Sequence, residues 1–269
     1  MITPEHTTKK YQKYAREALR TTPVSELMKT LSDPIRWYEQ PNSLPEGIPP
    51  ITDRATVAFL MSGNYRALAQ TLCLEGKPEE SFEYTYLFAA ALARSHQLSR
   101  TEKINIPAVE HAIRSGQDVT EAICGLIAVN AWDEAEAFAK FAEPLYYALL
   151  TGDDRTAAEI TAHLPDTPPK HPFHFEMHFI GVIFCKAIFQ ALLENDEVKL
   201  RNALLARVMQ YRESSWLYST VLDLVSIAIV KLAERRKIYG TAPDIAEIPR
   251  IYLDADKHAT QHLPKMLEN

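Results

Sequence analysis

Glycine is scarce in this chain, at 8 of 269 residues, or roughly 3% against the ~7% that is usual in proteins. Glycine-rich phosphate-binding loops and the tight reversals of many-stranded sheets therefore have little glycine to be built from. The motifs GxGxxG, GxxxxGK[ST], GxSxG and HExxH are also absent. These absences remove the commonest nucleotide-binding and hydrolase assignments and favour a protein that is not an enzyme and has no cofactor.

Cysteines and long apolar runs are rare as well. Cys73, Cys124 and Cys185 are odd in number, widely separated and flanked by apolar residues, which is typical of buried reduced thiols rather than a disulfide framework. The longest apolar runs, FIGVIFC and VSIAIV, are far shorter than the ~20 residues of a membrane span. The amino terminus lacks the pattern of a secretory signal. The sequence therefore predicts a cytoplasmic protein that does not interact with a membrane.

Negative charge is concentrated in one part of the chain. The formal net charge of −6 argues against a generally basic nucleic-acid-binding protein. Residues 118–159, the acidic window, hold nine acidic and two basic residues, a net charge of −7, so the rest of the chain is close to neutral. Such a run is commonly a solvated helix face. The alternative is a docking surface for a basic partner, because a surface of one sign steers an oppositely charged protein into encounter.

Six residues of the acidic window are the candidates for contacting such a partner. The stretch WDEAEAFAK at 132–140 combines carboxylates with two aromatic residues, and an apolar anchor ringed by charge is typical of interface hot spots. TGDD at 151–154 indicates a tight turn between two helices. The candidate contact residues in these two stretches are Trp132, Asp133, Glu134, Glu136, Asp153 and Asp154.

Apolar residues recur every three or four positions along nearly the whole chain, and no convincing run alternates strictly. This is the helical period. The predicted fold is all-α, an irregular and α-solenoid-like array of antiparallel helical hairpins with about ten to twelve helices. YALLTGDDRTAAEI from Tyr147 and QALLENDEVKLRNA from Gln190 echo each other at an offset of 43 residues, near the spacing of two-helix repeats. The absence of a third clear copy favours an irregular array over a regular tetratricopeptide-type solenoid.

Two proline clusters punctuate the chain. QPNSLPEGIPP at 40–50 follows a short, mildly basic helical segment, and LPDTPPKHP at 164–172 follows the acidic window. The predicted organisation is an N-terminal helical arm at 1–40, a proline-rich linker at 41–50 and a single all-helical domain at 51–269. A subdivision of that domain at the proline-rich turn 164–172 is left open.

Histidines raise the alternative of a metal site. His174 and His178 are four residues apart, as are His258 and His262, so each pair shares one face of a helix. Two imidazoles on one element are a common part of a metal site, although nothing in the sequence brings the two pairs together. Pro172 suits the first turn of a helix, and the apolar stretch after it indicates a buried element. The favoured interpretation is therefore structural, without a metal.

The stretch IFQALLENDEVKLRNALLARVMQYRESSW at 188–216 resembles the Immunity protein 49 family of bacterial polymorphic toxin systems. The similar features are an aliphatic and aromatic helix closed by an acidic turn, a helix with Asn before Ala-Leu, and an aromatic-rich end. The long apolar helix LVSIAIVKLAERRKI at 224–238 and the segment IPRIYLD at 248–254 continue the likeness, which covers about residues 140–255. The resemblance implies an all-α cytosolic protein that binds and blocks a cognate toxin and has no catalytic residues.

The resulting expectation is an immunity protein that neutralises a cognate toxin by direct stoichiometric binding. A nuclease with a cationic groove is one such toxin, since an acidic face can occupy that groove in place of phosphates. Two other functions stay open. One is a helical-repeat adaptor that binds an endogenous protein or peptide, and the other is a metal-dependent helical enzyme that uses the four histidines.

Overall fold

The computed structural model describes residues 24–39, 51, 53–116, 118–164, 185–213, 222–245, 247–254 and 256–268. Within these residues the protein contains helices and no strand, so the predicted all-α class is confirmed. Most of the predicted arm and linker, with nearly all of the proline-rich turn at 164–172, lies outside the described residues. The predicted division into arm, linker and domain therefore stays a prediction.

Eleven helices of eight or more residues lie in the described part of the chain, which agrees with the expected ten to twelve. They are α1 (Val24–Glu39), α2 (Arg54–Leu74), α3 (Pro78–Leu98), α4 (Pro107–Ser115), α5 (Val119–Ala128), α6 (Trp132–Ala142), α7 (Pro144–Thr151), α8 (Asp154–His163), α9 (Lys186–Leu193), α10 (Glu197–Glu213) and α11 (Leu224–Arg235). Two single-turn helices follow, α12 (Arg250–Leu253) and α13 (Lys265–Glu268).

Four turns between consecutive helices share one backbone pattern. Each turn has a residue with positive φ two positions before the next helix: Gly76 at 73°, Asn130 at 62°, Gly152 at 76° and Asn195 at 52°. The next amide donates to the carbonyl five residues earlier, as in a Schellman motif. These bonds run from Lys77 to Leu72, from Ala131 to Leu126, from Asp153 to Ala148 and from Asp196 to Ala191, at 2.9 to 3.0 Å. The same turn thus joins α2 to α3, α5 to α6, α7 to α8 and α9 to α10.

The echo at an offset of 43 residues corresponds to two of these turns. Asp153 caps α8 by accepting a hydrogen bond from the Thr156 amide at 3.1 Å. Asp196 caps α10 in the same way, with the Lys199 amide at 2.9 Å. A short aspartate side chain at this position satisfies an amide that has no partner within its helix. The repeated sequence is therefore a repeated turn and cap, and the structure adds two further copies of the turn.

α5 and α11 form the centre of the fold. Nine of the ten residues of α5 are buried, and in α11 the run from Leu224 to Ala233 is buried throughout. Helices that are apolar on nearly every side require neighbours all round, and α5 packs against α3, α6 and α11. Its approach to α3 depends on Gly125, because a Cβ atom there would lie 2.7 Å from the Cβ atom of Ala89.

The C-terminal part of the chain returns to the N-terminal helices. From α5 to α10 each helix packs against the next one in the chain, but α11 packs against α5, α12 against α3 and α13 against α2. In a solenoid each repeat contacts only its neighbours. The solenoid-like part of the prediction is therefore not confirmed, although the irregular array of helical hairpins agrees with the structure.

Polar contacts hold this returning segment along α3. The buried hydroxyl of Tyr252 lies 2.9 Å from Ser81 Oγ and 2.8 Å from Thr85 Oγ1. Farther along α3, Arg94 Nε donates to the Leu267 carbonyl at 2.7 Å. Since buried polar groups that satisfy one another hold a packing arrangement in one geometry, these contacts fix the returning segment on α3.

Candidate functional site

The first turn of α6 meets the end of α11. The guanidinium carbon of Arg235 lies 4.5 Å from the centre of the half-buried Trp132 ring, within the range of a cation–π contact. The sequence presents Trp132 as an apolar anchor, but the structure shows that this contact covers part of its ring. Trp132 therefore helps to join α6 to α11.

The first turn of α8 meets Arg236, the residue that follows α11. Arg236 Nη2 lies 2.7 Å from Asp154 Oδ1, with 14% of the arginine side chain and 57% of the aspartate side chain exposed. Because Arg235 and Arg236 are consecutive, the turn before α6 and the turn before α8 lie near each other. The structure thus brings Trp132 and Asp154 to one part of the molecule.

A third turn joins this arrangement at Gly240. A Cβ atom on Gly240 would lie 2.6 Å from Oε1 of Glu197, the first residue of α10, and Gly240 has a φ of 74°. This backbone conformation favours glycine, and the Glu197 carboxylate lies against the backbone at Gly240. Residues 235–240 therefore run past three of the four similar turns. We call the combined surface, residues 130–136, 152–155, 194–199 and 235–240, the turn edge.

All six predicted contact residues lie on the turn edge. Asp133 and Glu136 are exposed, and neither has an ion-pair or hydrogen-bond partner in the described part of the chain. Glu134 accepts a hydrogen bond from the Tyr86 hydroxyl at 3.2 Å. Partial burial raises the pKa of Glu134, and the Tyr86 hydrogen bond opposes that rise. Asp133 and Glu136 are therefore the carboxylates of α6 most available to a partner.

The exposed cap residue Asp153 also belongs to the turn edge. Hydrogen bonds from the side chain and the backbone amide of Thr156 lower the pKa of Asp153, because they stabilise its ionised form. The carboxylate thus stays charged while it caps α8. It presents negative charge to solvent at the centre of the acidic turn.

Not all of the acidic window is a surface. Glu121 forms an ion pair with Arg66 inside the helical array, and burial raises the pKa of Glu121 while Arg66 opposes that rise. Burial likewise raises the pKa of Asp118. The cationic residues 235–237, which lie outside the acidic window in sequence, approach it near Asp154. The turn edge therefore holds eight carboxylates and five cationic side chains, and the docking surface for a basic partner stays a prediction.

Two exposed apolar residues of the turn edge are not among the predicted contact residues. Val198 and Tyr239 are 69% and 63% exposed. A signal for Val198 was present, because Leu200, Leu204 and Val208 form the buried stripe of α10 and Val198 lies outside that spacing. Tyr239 follows a basic run and precedes Gly240, with no periodic pattern to mark its exposure.

The histidine alternative receives no support from the described residues. His258 and His262 are both exposed. His174 and His178 lie outside the described residues. Across the described ranges, no group of three or more histidine, cysteine, aspartate or glutamate side chains is arranged to hold a metal ion.

Comparison with protein-family models, with curated proteins and with solved structures finds no match for this chain. None of the described helices combines the length and the apolar character that crossing a membrane requires. The turn edge therefore has to be interpreted from its own chemistry, and that chemistry consists of exposed charge, exposed apolar side chains and rigid turns.

Proposed function

We propose that this protein binds another protein stoichiometrically at the turn edge and acts as an immunity protein that neutralises a toxin encoded beside it. The sequence resemblance over residues 140–255 supports this reading. Three of the four turn-edge segments fall within that range, and the fourth, 130–136, lies just before it. The observation that carries the proposal is the exposed charge of the turn edge. Fixed carboxylates on short turns between packed helices form a preorganised surface, which loses little conformational freedom on binding.

A cationic partner suits this surface best. Asp133 and Glu136 have no internal partner among the described residues, and Asp153 is exposed and engaged only in capping α8. The eight carboxylates and five cations of the turn edge leave a formal charge of −3. An excess of one sign raises the rate of encounter with the opposite sign. A nuclease that binds phosphates through a cationic groove would present such a surface.

Co-expression with the neighbouring gene tests this function. The product of the adjacent reading frame is expressed in a host cell with and without this protein, and survival is measured together with co-purification. Rescue of growth and a 1:1 complex on size-exclusion chromatography are the expected results. A neighbour that is harmless, or that kills equally in both strains, contradicts the proposal.

Charge reversal on α6 should weaken the complex. The variant Asp133→Lys/Glu136→Lys is expected to raise Kd for the neighbouring gene's product at least about tenfold, since a desolvated charge pair contributes about 1.4 kcal/mol or more. Isothermal titration calorimetry measures the change. Both side chains are exposed, so the melting temperature should change little.

A matched control has the same change in net charge at other sites. Glu26 of α1 and Glu110 of α4 are carboxylates outside the turn edge, and Glu26→Lys/Glu110→Lys should leave Kd within about twofold of the wild-type value. Equal affinity loss in both double variants would indicate a response to overall charge. Unchanged affinity in the α6 variant would show that this face of α6 is not part of the interface. The immunity function would then still be tested by the co-expression experiment.

A helical-repeat adaptor is the second candidate function, and the four similar turns favour it. Repeated hairpins are typical of proteins that bind extended peptides along a stack of helices. The return of α11 onto α5 distinguishes this fold from such an open stack. Pull-down from the native host, without the neighbouring gene's product, separates the two readings: an adaptor recovers a specific endogenous partner, and an immunity protein does not.

A further inference from the structure

The chain after α12 lies along α3 as a strap, residues 256–267. Residues 257–264 of the strap belong to no helix, and α13 begins at Lys265. Half of the twelve strap residues are exposed, and Leu267 is the single buried one. Tyr252, shortly before the strap, is fully buried. The strap therefore starts from a fixed point and has few buried side chains of its own.

Side chains of α3 bind the strap through its main chain. Glu83 Oε2 accepts hydrogen bonds from the consecutive amides of Thr260 and Gln261, at 2.7 and 2.9 Å. Arg94 Nε donates to the Leu267 carbonyl at 2.7 Å. These two α3 side chains are eleven residues apart, which is about 16 Å along the helix axis. The strap thus runs along α3 rather than across it.

The start of the strap is held in the same way. The side-chain amide of Asn130 donates to the Lys257 carbonyl, and Lys257 Nζ lies 5.5 Å from the centre of the Phe82 ring. Four main-chain atoms of the strap are thus bonded by three side chains from outside it. Because every peptide has such amides and carbonyls, this type of recognition depends little on the sequence of the strap.

Apolar contacts supply the part of the recognition that depends on sequence. Leu267 is fully buried in the core cluster, and Ala259, Leu263 and Met266 pack against that cluster while partly buried. When an extended peptide is bound through its main chain, hydrogen bonds give affinity and pockets for a few side chains give specificity. The face of α3 beneath the strap has these features, and this chain fills it with its own residues.

We propose that this face of α3 is a second binding site, and that its partner is an extended protein segment with an aliphatic side chain in the place of Leu267. The strap occupies the site in the free protein, and the partner segment displaces it. Local opening of the strap is open to this chain because the base is fixed at Tyr252 and a single strap residue is buried. The inference goes beyond the proposed function and does not depend on it, since its partner is a peptide segment rather than a toxin surface.

The covalent attachment of the strap determines how the exchange has to be measured. A tethered segment is present at its site at an effective concentration in the millimolar range. A free peptide of the same sequence therefore competes poorly with the intact strap. Weakening the strap without changing the face of α3 should make the site accessible to such a peptide.

A labelled synthetic peptide with the sequence of residues 256–268 tests the exchange on the full-length protein. Fluorescence polarisation should show little binding to the wild type at protein concentrations up to about 100 µM. In Leu267→Ser the strap loses its buried side chain, so the Kd for the peptide should fall at least about tenfold. His258→Ser changes an exposed strap residue and should bind the peptide as weakly as the wild type does. Equal binding to the wild type and to Leu267→Ser overturns the inference.

One further protein variant and two altered peptides locate the bound peptide. Glu83→Ala, added to Leu267→Ser, removes the acceptor of two peptide amides and should raise the Kd at least about tenfold. On the Leu267→Ser protein, a peptide with serine at the position of Leu267 should bind at least about tenfold more weakly than the natural sequence. A peptide changed at the exposed position His258 should bind within about threefold. A peptide whose affinity is unaffected by Glu83→Ala is bound elsewhere, which contradicts the inference.

Selection from a displayed library of random dodecapeptides on the Leu267→Ser protein tests the chemistry of the partner. Selected peptides should compete with the labelled peptide and share an aliphatic residue, while their other positions vary. Competing peptides that share no aliphatic residue show that the assigned partner chemistry is wrong.

Hydrogen exchange of the wild-type protein gives a measurement that requires no variant, and it decides the question if Leu267→Ser fails to fold. The amides of Thr260 and Gln261 should exchange at least about 100-fold faster than amides in the centre of α5, because the strap opens locally. Protection equal to that of α5 would mean that the strap leaves α3 only when the whole protein unfolds, and the inference would then be wrong.

Discussion

Replacing Arg207 by methionine is expected to lower the free energy of unfolding by about 3–5 kcal/mol. Arg207 of α10 forms a bidentate pair with Asp223, the cap of α11, with Nε–Oδ2 and Nη2–Oδ1 distances of 3.1 and 3.0 Å. Only 5% of the arginine and 1% of the aspartate side chain is exposed. Removal of the cation leaves a buried carboxylate with no counter-charge, and that carboxylate is strongly disfavoured in an apolar interior.

Urea unfolding with linear extrapolation measures this change. Arg155→Met is the exposed control, because Arg155 and Glu159 form an arginine–carboxylate pair through one contact, with side chains that are 90% and 63% exposed. Exposed pairs contribute about 0–1 kcal/mol. The double variant Arg207→Met/Asp223→Asn should lose less stability than Arg207→Met alone, since the unpaired charge is gone. Similar losses in the Arg207 and Arg155 variants would contradict the explanation.

This buried pair also has a consequence for the turn edge. It connects α10, the last helix of the consecutive hairpins, to the start of α11, which returns to the centre of the fold. The other end of α11 contributes Arg235 and Arg236 to the turn edge. A chain that lacks the pair should therefore open first at the start of α11, and residues 235–240 should follow only when the packing of α11 on α5 is lost. Hydrogen exchange at the two ends of α11 reports the order of these openings.

Part of the fold was predictable from short-range patterns. Aspartate after a glycine or asparagine indicates a turn followed by a capped helix, and both turns of the 43-residue echo follow this rule. The turn at Asn130 has the same hydrogen bonds, yet alanine stands where those turns have aspartate. The sequence therefore gives a weaker signal there, because the turn geometry is stabilised by contacts from elsewhere in the chain.

Those contacts are long-range. The Asn130 side chain accepts a hydrogen bond from Lys231 of α11 and donates to the carbonyl groups of Asp254 and Lys257. Lys231 is buried, and this burial lowers its pKa to about 8. Residues separated by more than 100 positions thus determine the structure of one turn. Periodicity and local propensity contain no information about such pairs.

The candidate site likewise combines features that local sequence predicts with features that depend on long-range contacts. The acidic residues at 132–136 and 153–154 could be selected from local composition, and all of them lie on the turn edge. The ion pair of Asp154 with Arg236 and the contact of Trp132 with Arg235 depend on the return of α11. The internal pair of Glu121 depends on Arg66, 55 positions earlier. Charge counted along the sequence therefore overstates charge at the surface, since it cannot distinguish carboxylates that are neutralised internally.

Acid is expected to destabilise the protein through His96. This histidine of α3 is 7% exposed, its Nε2 atom has no hydrogen-bond partner among the described residues, and its ring centre lies 6.0 Å from that of Phe138. Burial in this apolar site lowers the pKa of His96 from 6.5 to about 4. The unfolded chain therefore binds a proton on this group at a higher pH than the folded chain does.

The direction of the effect follows from this difference in proton binding. Above pH 6.5 the ring is neutral in both states, so the contribution of His96 to stability is fully present. As the pH falls from 6.5 to about 4, the unfolded state gains a proton that the folded state does not, and the free energy of unfolding decreases by about 3 kcal/mol. Below pH 4 both states are protonated at this group, and it causes no further loss.

Urea unfolding of the wild type and of His96→Leu between pH 7 and pH 4 isolates this contribution, because carboxylates that titrate in both proteins cancel in the difference. His96→Leu should lose less stability than the wild type by about 3 kcal/mol over this range. His111→Leu replaces an exposed histidine of α4 and controls for the substitution itself. Parallel curves for the wild type and His96→Leu would show that the buried ring is protonated without cost, which a neutral imidazole packed near Phe138 does not permit.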